Sequence, residues 1–238
     1  MKAQEGYSGE TLKPLSVETP RRDVSTTSPP VIPVRGLHTF VALLQGGERF
    51  RAHVACKRIG HYTATCEWTV FGPDDQRLAQ GVIEPEKEAV IEAGAGAAGV
   101  YCLVVNSVSN VAAVTPLNPH AALTGRNIHL LGGCDSLCFF VPEGVAKFTI
   151  TLATDAPGET ASMTVIAPDG KRVATATTGP ESKIPVEVQV PPGQSGKAWG
   201  LKIEKGGGGV LEDVTLSLDS RLPPYWSRTV DSLLVPAR

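Results

Sequence analysis

The sequence predicts an all-β fold, two tandem antiparallel β-sandwiches behind a disordered N-terminal arm. Three observations carry this. A twelve-residue phrase occurs twice, Trp68 to Ala79 returning as Met163 to Ala174 at a constant offset of 95 residues. Strand-sized segments recur at intervals of roughly 8–12 residues, with Gly and Pro turn signals between them. No segment carries the apolar period of a long amphipathic helix. A repeat near 95 exceeds the roughly 20–50 residues of a solenoid unit and is the size of a small domain.

Residues 1–34 hold Ser, Thr, Pro and charges with little apolar period, and read as a disordered arm or linker. Within them, Val31 to Val34 is placed to dock as a short edge segment. Residues 35–116 form the first unit. Leu37 to Leu44, Phe50 to Cys56 and Thr65 to Phe71 read as strands, Pro73-Asp74-Asp75 is a turn, and further short strands follow. Residues 117–125 read as a linker. Residues 126–220 form the second unit, with turns at Asp155 to Gly158, Pro168-Asp169-Gly170, Pro191-Pro192-Gly193 and Gly206 to Gly209. Residues 221–238 make an apolar tail expected to pack on a sandwich or on a partner.

The copies align beyond the hairpin. Pro85-Glu86 matches Pro180-Glu181, Ile91-Glu92 matches Val186-Glu187, and Gly99, Tyr101, Leu103 and Val105 match Gly196, Trp199, Leu201 and Ile203 after small gaps. Equivalence of Trp68 with Met163, and of Tyr101 with Trp199, marks core positions.

Bulk properties narrow the function. A net charge of −2 and a pI near 6.2 give no electrostatic basis for binding nucleic acid or acidic membranes. No apolar run approaches a membrane span. Met1 to Gly6 lacks the apolar stretch of a secretory signal, and a start followed by a linker suits a fragment of a larger protein. Five cysteines cannot all close into disulfides, so their state is open.

Phe140-Val141-Pro142-Glu143-Gly144, the strand Phe148-Thr149-Ile150, the hairpin from Met163 to Arg172 and the strand from Gly196 to Ile203 carry a resemblance. Together they resemble bacterial pre-peptidase C-terminal-like domains, over about 90 residues of the second unit and more faintly in the first. The resemblance implies a jelly-roll-like β-sandwich attached to a secreted hydrolase, with no catalytic residues to transfer. The chain departs from that pattern in lacking a loop cluster of Asp.

Several local patterns suggest chemistry. His53-x2-Cys56-x4-His61-x4-Cys66 has the spacing of a zinc knuckle with His in the first place. The repeat sets against it a reading in which His53 to Cys56 belong to one strand and the cysteines flank a loop. Cys134-Asp135-Ser136-Leu137-Cys138, near His129, invites a nucleophile reading, but alternation places Cys134, Ser136 and Cys138 on one strand face. Cys102 reads as core. Pro191 to Lys197 fails as a phosphate loop because Pro191 stands where Gly is required. Asp74, Asp75 and Asp169 could hold calcium but are explained by turn chemistry, and Glu84, Glu86 and Glu88 read as a solvated edge. Tyr225 and Trp226, absent from the first copy, are the candidate ligand-binding aromatics, and packing onto the sandwich is the reading set against that and the favoured one.

The expectation is therefore a non-catalytic accessory region of a bacterial secreted or cell-surface protein, outside the cell and requiring no cofactor. Its partners would be a neighbouring domain of a larger protein, or a carbohydrate or protein surface. Two alternatives stand beside it: an assembly protein forming oligomers through arm and tail, and a zinc-dependent binder using His53, Cys56, His61 and Cys66.

Overall fold

A computed structural model describes residues 7, 9–15, 31–94, 96–179 and 181–237. The Ser25 to Pro30 stretch and Pro180 lie outside the described residues. The described chain is all-β. An arm strand, β1 (Leu12–Pro14), precedes the first half: β2 (Ile32–Leu44), β3 (Phe50–Lys57), β4 (Cys66–Phe71), β5 (Arg77–Ile83), β6 (Glu88–Ala93) and β7 (Gly99–Pro116). After β8 (Ala121–Thr124) comes the second half: β9 (Asn127–Leu131), β10 (Cys134–Val141), β11 (Lys147–Thr154), β12 (Ala161–Ile166), β13 (Arg172–Thr177), β14 (Lys183–Gln189), β15 (Lys197–Lys205) and β16 (Asp213–Leu218). The tail adds β17 (Tyr225–Trp226) and β18 (Leu234–Pro236).

Period-two alternation decides which face of each strand is covered. In β3, Phe50, Ala52, Val54 and Cys56 are buried while Arg51 is exposed; in β11, Phe148, Ile150 and Leu152 repeat the pattern. These faces meet strands of a second layer. Phe148 of β11 packs edge-on against Phe139 of β10 and Trp199 of β15, with ring centroids 5.7 and 5.2 Å apart.

One layer runs β14-β11-β16-β9-β2-β7-β3-β6 without a break. The long strands β2 and β7 bend into the other layer as well. Ile32 to Arg35 pairs with Val111 to Val114, and after a register shift at Gly36 (φ +79°) Leu37 to Leu44 pairs with Gly99 to Asn106. The second layer reads β5-β4-β7-β2-β8-β17 and then β10-β15-β12-β13. Its two parts are joined where Cys138 and Ser227 exchange backbone hydrogen bonds of 2.6 and 3.0 Å.

The halves use the same pairings. β3 lies between β6 and β7 as β11 lies between β14 and β16, and β4 lies between β5 and β7 as β12 lies between β13 and β15. Both hairpins slip register at the same place, after Val70 and after Val165. Tyr101 donates its hydroxyl to Ala97 O at 3.0 Å, and Trp199 donates its indole N–H to Gln194 O at 2.9 Å. Cross-strand partners trade volume between the halves: Trp68 lies over Gly81, whereas Met163 stands opposite Ala176.

The first layer therefore has a symmetrical order, β6-β3-β7-β2 meeting β9-β16-β11-β14 edge to edge through Val34 and Leu130. Burying two such aliphatic side chains is worth about 1.5–3 kcal/mol each. In the second layer the equivalent edges do not touch. The strip between them is filled by β8 and β17, and one core runs through both halves. This revises the sequence reading in two places. Residues 117–125 are not a free linker, because Ala121 to Thr124 are buried as a sheet strand. Residues 1–34 are not wholly an arm, because Leu12–Pro14 pairs with Leu234–Pro236 and β2 starts at Ile32. The β1–β18 ribbon covers the outer surface of the second layer over Val41, Val100, Cys102 and Tyr225.

Candidate functional site

Tyr225 and Trp226 are buried, at 1% and 0% exposure. Trp226 packs against Phe139 at 5.8 Å and donates its indole N–H to Gly125 O at 2.9 Å. Tyr225 donates its hydroxyl to Glu10 Oε1 at 2.5 Å, and burial, with that carboxylate, drives its ionisation far above the ordinary phenol range. Both rings are covered by protein on all sides, so the expectation that they form a ligand platform is corrected. Their place in the strip between the halves explains why only one copy of the repeat has them.

The zinc-knuckle spacing does not become a site. His53 and Cys56 stand three positions apart on β3, an odd offset that sends them to opposite faces. His53 approaches Glu88 at 3.4 Å, on the outer surface, and His61 lies exposed on the loop after β3. Cys56 and Cys66 are in the core. Among the described residues no group of three or more His, Cys, Asp or Glu is arranged to hold a metal ion.

The remaining patterns are structural in use. Asp74 and Asp169 each accept the backbone N–H two residues on, from Gln76 at 3.2 Å and Lys171 at 3.1 Å. Lys197 bonds Gly193 O at 2.7 Å, closing its own turn. Glu86 accepts the Arg58 N–H at 2.6 Å and so holds the loop after β3. Cys134 is buried beside the Arg228 guanidinium, and Cys138 beside Ser136; burial raises both thiols above their ordinary range, the reverse of what a nucleophile requires.

The most enzyme-like geometry lies at the seam and was not singled out from the sequence. Asp213 accepts from Arg35 Nη1 at 2.5 Å and lies 2.7 Å from His129 Nε2, with Asp155 at 3.6 Å from the same nitrogen. The His129 backbone N–H donates to His38 Nε2 at 3.0 Å, which places the proton of a neutral His38 on Nδ1, on the side of the Gly36 backbone. Burial depresses His38 to a pKa of about 4. An imidazole oriented by a carboxylate is half of an acid–base relay. No hydrogen bond joins His129 to a hydroxyl or thiol among the described residues. Arg35, His129 and Asp213 come from β2, β9 and β16, and the arrangement ties the two halves together. Only their positions relative to the repeat, each in one copy alone, could have marked them.

A groove of about 330 Å³ opens between the β1–β18 ribbon and the end of β10. Pro14, Phe140, Pro142 and Pro236 give it an apolar lining, and Lys13 and Glu143 supply one charge of each sign. Arm and tail pair with each other here as a two-stranded ribbon within one chain.

No protein-family profile and no curated protein matches this sequence. Among solved structures, the chain aligns with one described as the M60 catalytic domain with the CBM51-1 and CBM51-2 domains from Clostridium perfringens ZmpB. The alignment covers 92% of this chain and 38% of that chain, at 11% identity and a TM-score of 0.28. The chain thus spans well under two thirds of that neighbour, and a likeness of this degree carries no argument about function. The β-sandwich architecture rests on the strand pairing itself, and no comparison supplies the pre-peptidase C-terminal-like family.

Proposed function

We propose that this chain is a non-catalytic accessory module built from two fused copies of a pre-peptidase C-terminal-like β-sandwich. It would belong to a secreted or cell-surface bacterial protein, in the manner of domains attached to hydrolases. Its work is to brace a neighbouring domain or hold it against a carbohydrate or protein surface. One observation carries the reading: the chemically suggestive groups are built into the packing between and around the halves. Tyr225, Trp226 and the cysteines are buried, and the His129–Asp213 pair is clamped by Arg35. The groove beside Phe140 and Pro142 is where we place an extended segment of the surface it holds.

The test is an activity screen run beside a retention assay. The purified chain is offered chromogenic glycosides, esters and peptides, and separately mixed with insoluble polysaccharides and with cell-envelope fractions. The reading expects no turnover above buffer, and retention on a surface that falls when Phe140 is changed to Ser. Turnover that follows the protein through purification and is lost in His129→Asn would overturn it.

A further inference from the structure

We propose that Cys56 and Cys66 form a disulfide that staples the two layers of the first half when the chain folds under oxidising conditions. Cys56 is the last residue but one of β3 in one layer, and Cys66 begins β4 in the other. The Cys66 thiol reaches Val111 O at 3.8 Å, and Val111 adjoins Ala112, the register partner of Cys56. Both are free thiols in this structure, both belong to the core between the two layers, and both are at most 1% exposed. The other three cysteines offer no equal partner. Cys102 faces the β1–β18 ribbon, on the opposite surface of the second layer. Cys134 and Cys138 stand four residues apart on one strand, about 13 Å in extended backbone, where a disulfide needs roughly 4.4–6.8 Å between Cα atoms. An odd count of five is then one bridge and three thiols.

The second half shows what the pair replaces. Thr154 and Ala161 occupy the positions of Cys56 and Cys66, and the loop between them is three residues shorter. That loop is closed by Glu159, which accepts the Asp155 and Ala156 N–H groups at 3.1 and 3.0 Å. The longer loop of the first half is held in its middle by buried Asn110, which accepts the Ile59 N–H at 2.9 Å and donates to Ala64 O at 2.6 Å. A bridge at its base would close the one strand-to-strand crossing that is longer than its counterpart.

The chemistry balances with a low-molecular-weight disulfide as oxidant. The S–H bonds of Cys56 and Cys66 break, their sulfurs join, and the oxidant's S–S bond takes the two hydrogens to become two thiols. Burial pushes the Cys66 thiol far up, so little thiolate exists in the closed sandwich and exchange there is slow. The bridge therefore forms while the layers are still open, and once closed it resists reductant until the protein unfolds.

The experiment refolds the full chain with oxidised glutathione, then alkylates free thiols in denaturant, because all five cysteines are buried in the folded chain, and digests with trypsin, which cuts after Lys57 and Arg58 between the two cysteines. The expected product is a Cys56–Cys66 linked peptide pair, with Cys102, Cys134 and Cys138 alkylated. Closing an eleven-residue loop raises the folding equilibrium constant about a hundredfold, so the oxidised chain should melt about 5–10 °C above the same chain refolded with dithiothreitol. Cys66→Ala, which installs the residue found at Ala161, should lose both the linked pair and the reductant-dependent shift. Folded protein with both thiols alkylated after oxidative refolding, or bridged through another cysteine, overturns the proposal. Equal melting of the bridged and reduced chains overturns the stapling role.

Discussion

Replacing Trp226 by Ala removes the largest side chain from the strip between the two halves. Trp226 is fully buried, so truncation withdraws about 150–250 Å² of apolar contact, worth roughly 4–6 kcal/mol at about 25 cal/mol/Å². Measured Trp and Phe truncations in cores cluster near 3–5 kcal/mol. The edge contact with Phe139 and the hydrogen bond to Gly125 O are lost with it, and the Gly125 carbonyl is left to find another donor. A loss of about 4 kcal/mol is therefore expected, against a total stability of roughly 5–15 kcal/mol. Urea unfolding of wild type and Trp226→Ala, with slopes compared as well as midpoints, measures it. Tyr62→Ala is the control, since Tyr62 is 49% exposed and its removal should change stability by no more than about 0.5 kcal/mol. A loss under about 1 kcal/mol for Trp226→Ala, with an unchanged slope, would refute the placement of this residue in the core.

His38 gives a pH signature. Its folded pKa of about 4 lies below the ordinary 6.5, so the unfolded chain takes up a proton that the folded chain refuses. Its contribution is flat above about pH 6.5 and costs about 3 kcal/mol as pH falls towards 4; His38→Gln should flatten that slope in urea melts at stepped pH, and an unaltered slope would count against it. Gly81→Ala places a Cβ 2.7 Å from Trp68 Cζ2 and should cost about 1–3 kcal/mol. Adding Trp68→Met recreates the Met163–Ala176 pair of the second half, so a double-mutant cycle should show favourable coupling, and strict additivity would contradict the packing argument. Asp75 has φ +59° where the second half has Gly170 at +84°, so Asp75→Gly should raise stability by about 0.5 kcal/mol, and destabilisation beyond 1 kcal/mol would show the Asp side chain to be needed.

The hairpins and core faces were legible because each is written locally and written twice. The Val70 and Val165 slips, and the pairs Tyr101/Trp199 and Trp68/Met163, sit where the 95-residue alignment puts them or a few residues on. What joins the halves was not legible. Val34 and Leu130 meet across 96 residues with no local mark, and β8 and β17, of four and two residues, are too short for alternation to register. The zinc spacing misled because a motif counts residues while a strand alternates them, so His53 and Cys56 face apart. Tyr225 and Trp226 stood out as ligand candidates because only one copy has them, and the packing that was the alternative reading is what they do: the strip they fill exists once. Arg35 and Asp213 escaped notice, and His129 was set beside the nearby cysteines instead, because three distant strands are needed to bring the trio together.

Differential scanning calorimetry of the whole chain tests most directly whether the halves make one body. A continuous first layer, a shared core and the β8–β17 strip require that neither half unfold alone. The account predicts a single transition whose calorimetric and van't Hoff enthalpies agree. Two resolved transitions, or a calorimetric enthalpy near twice the van't Hoff value, would mean two independent sandwiches and contradict it.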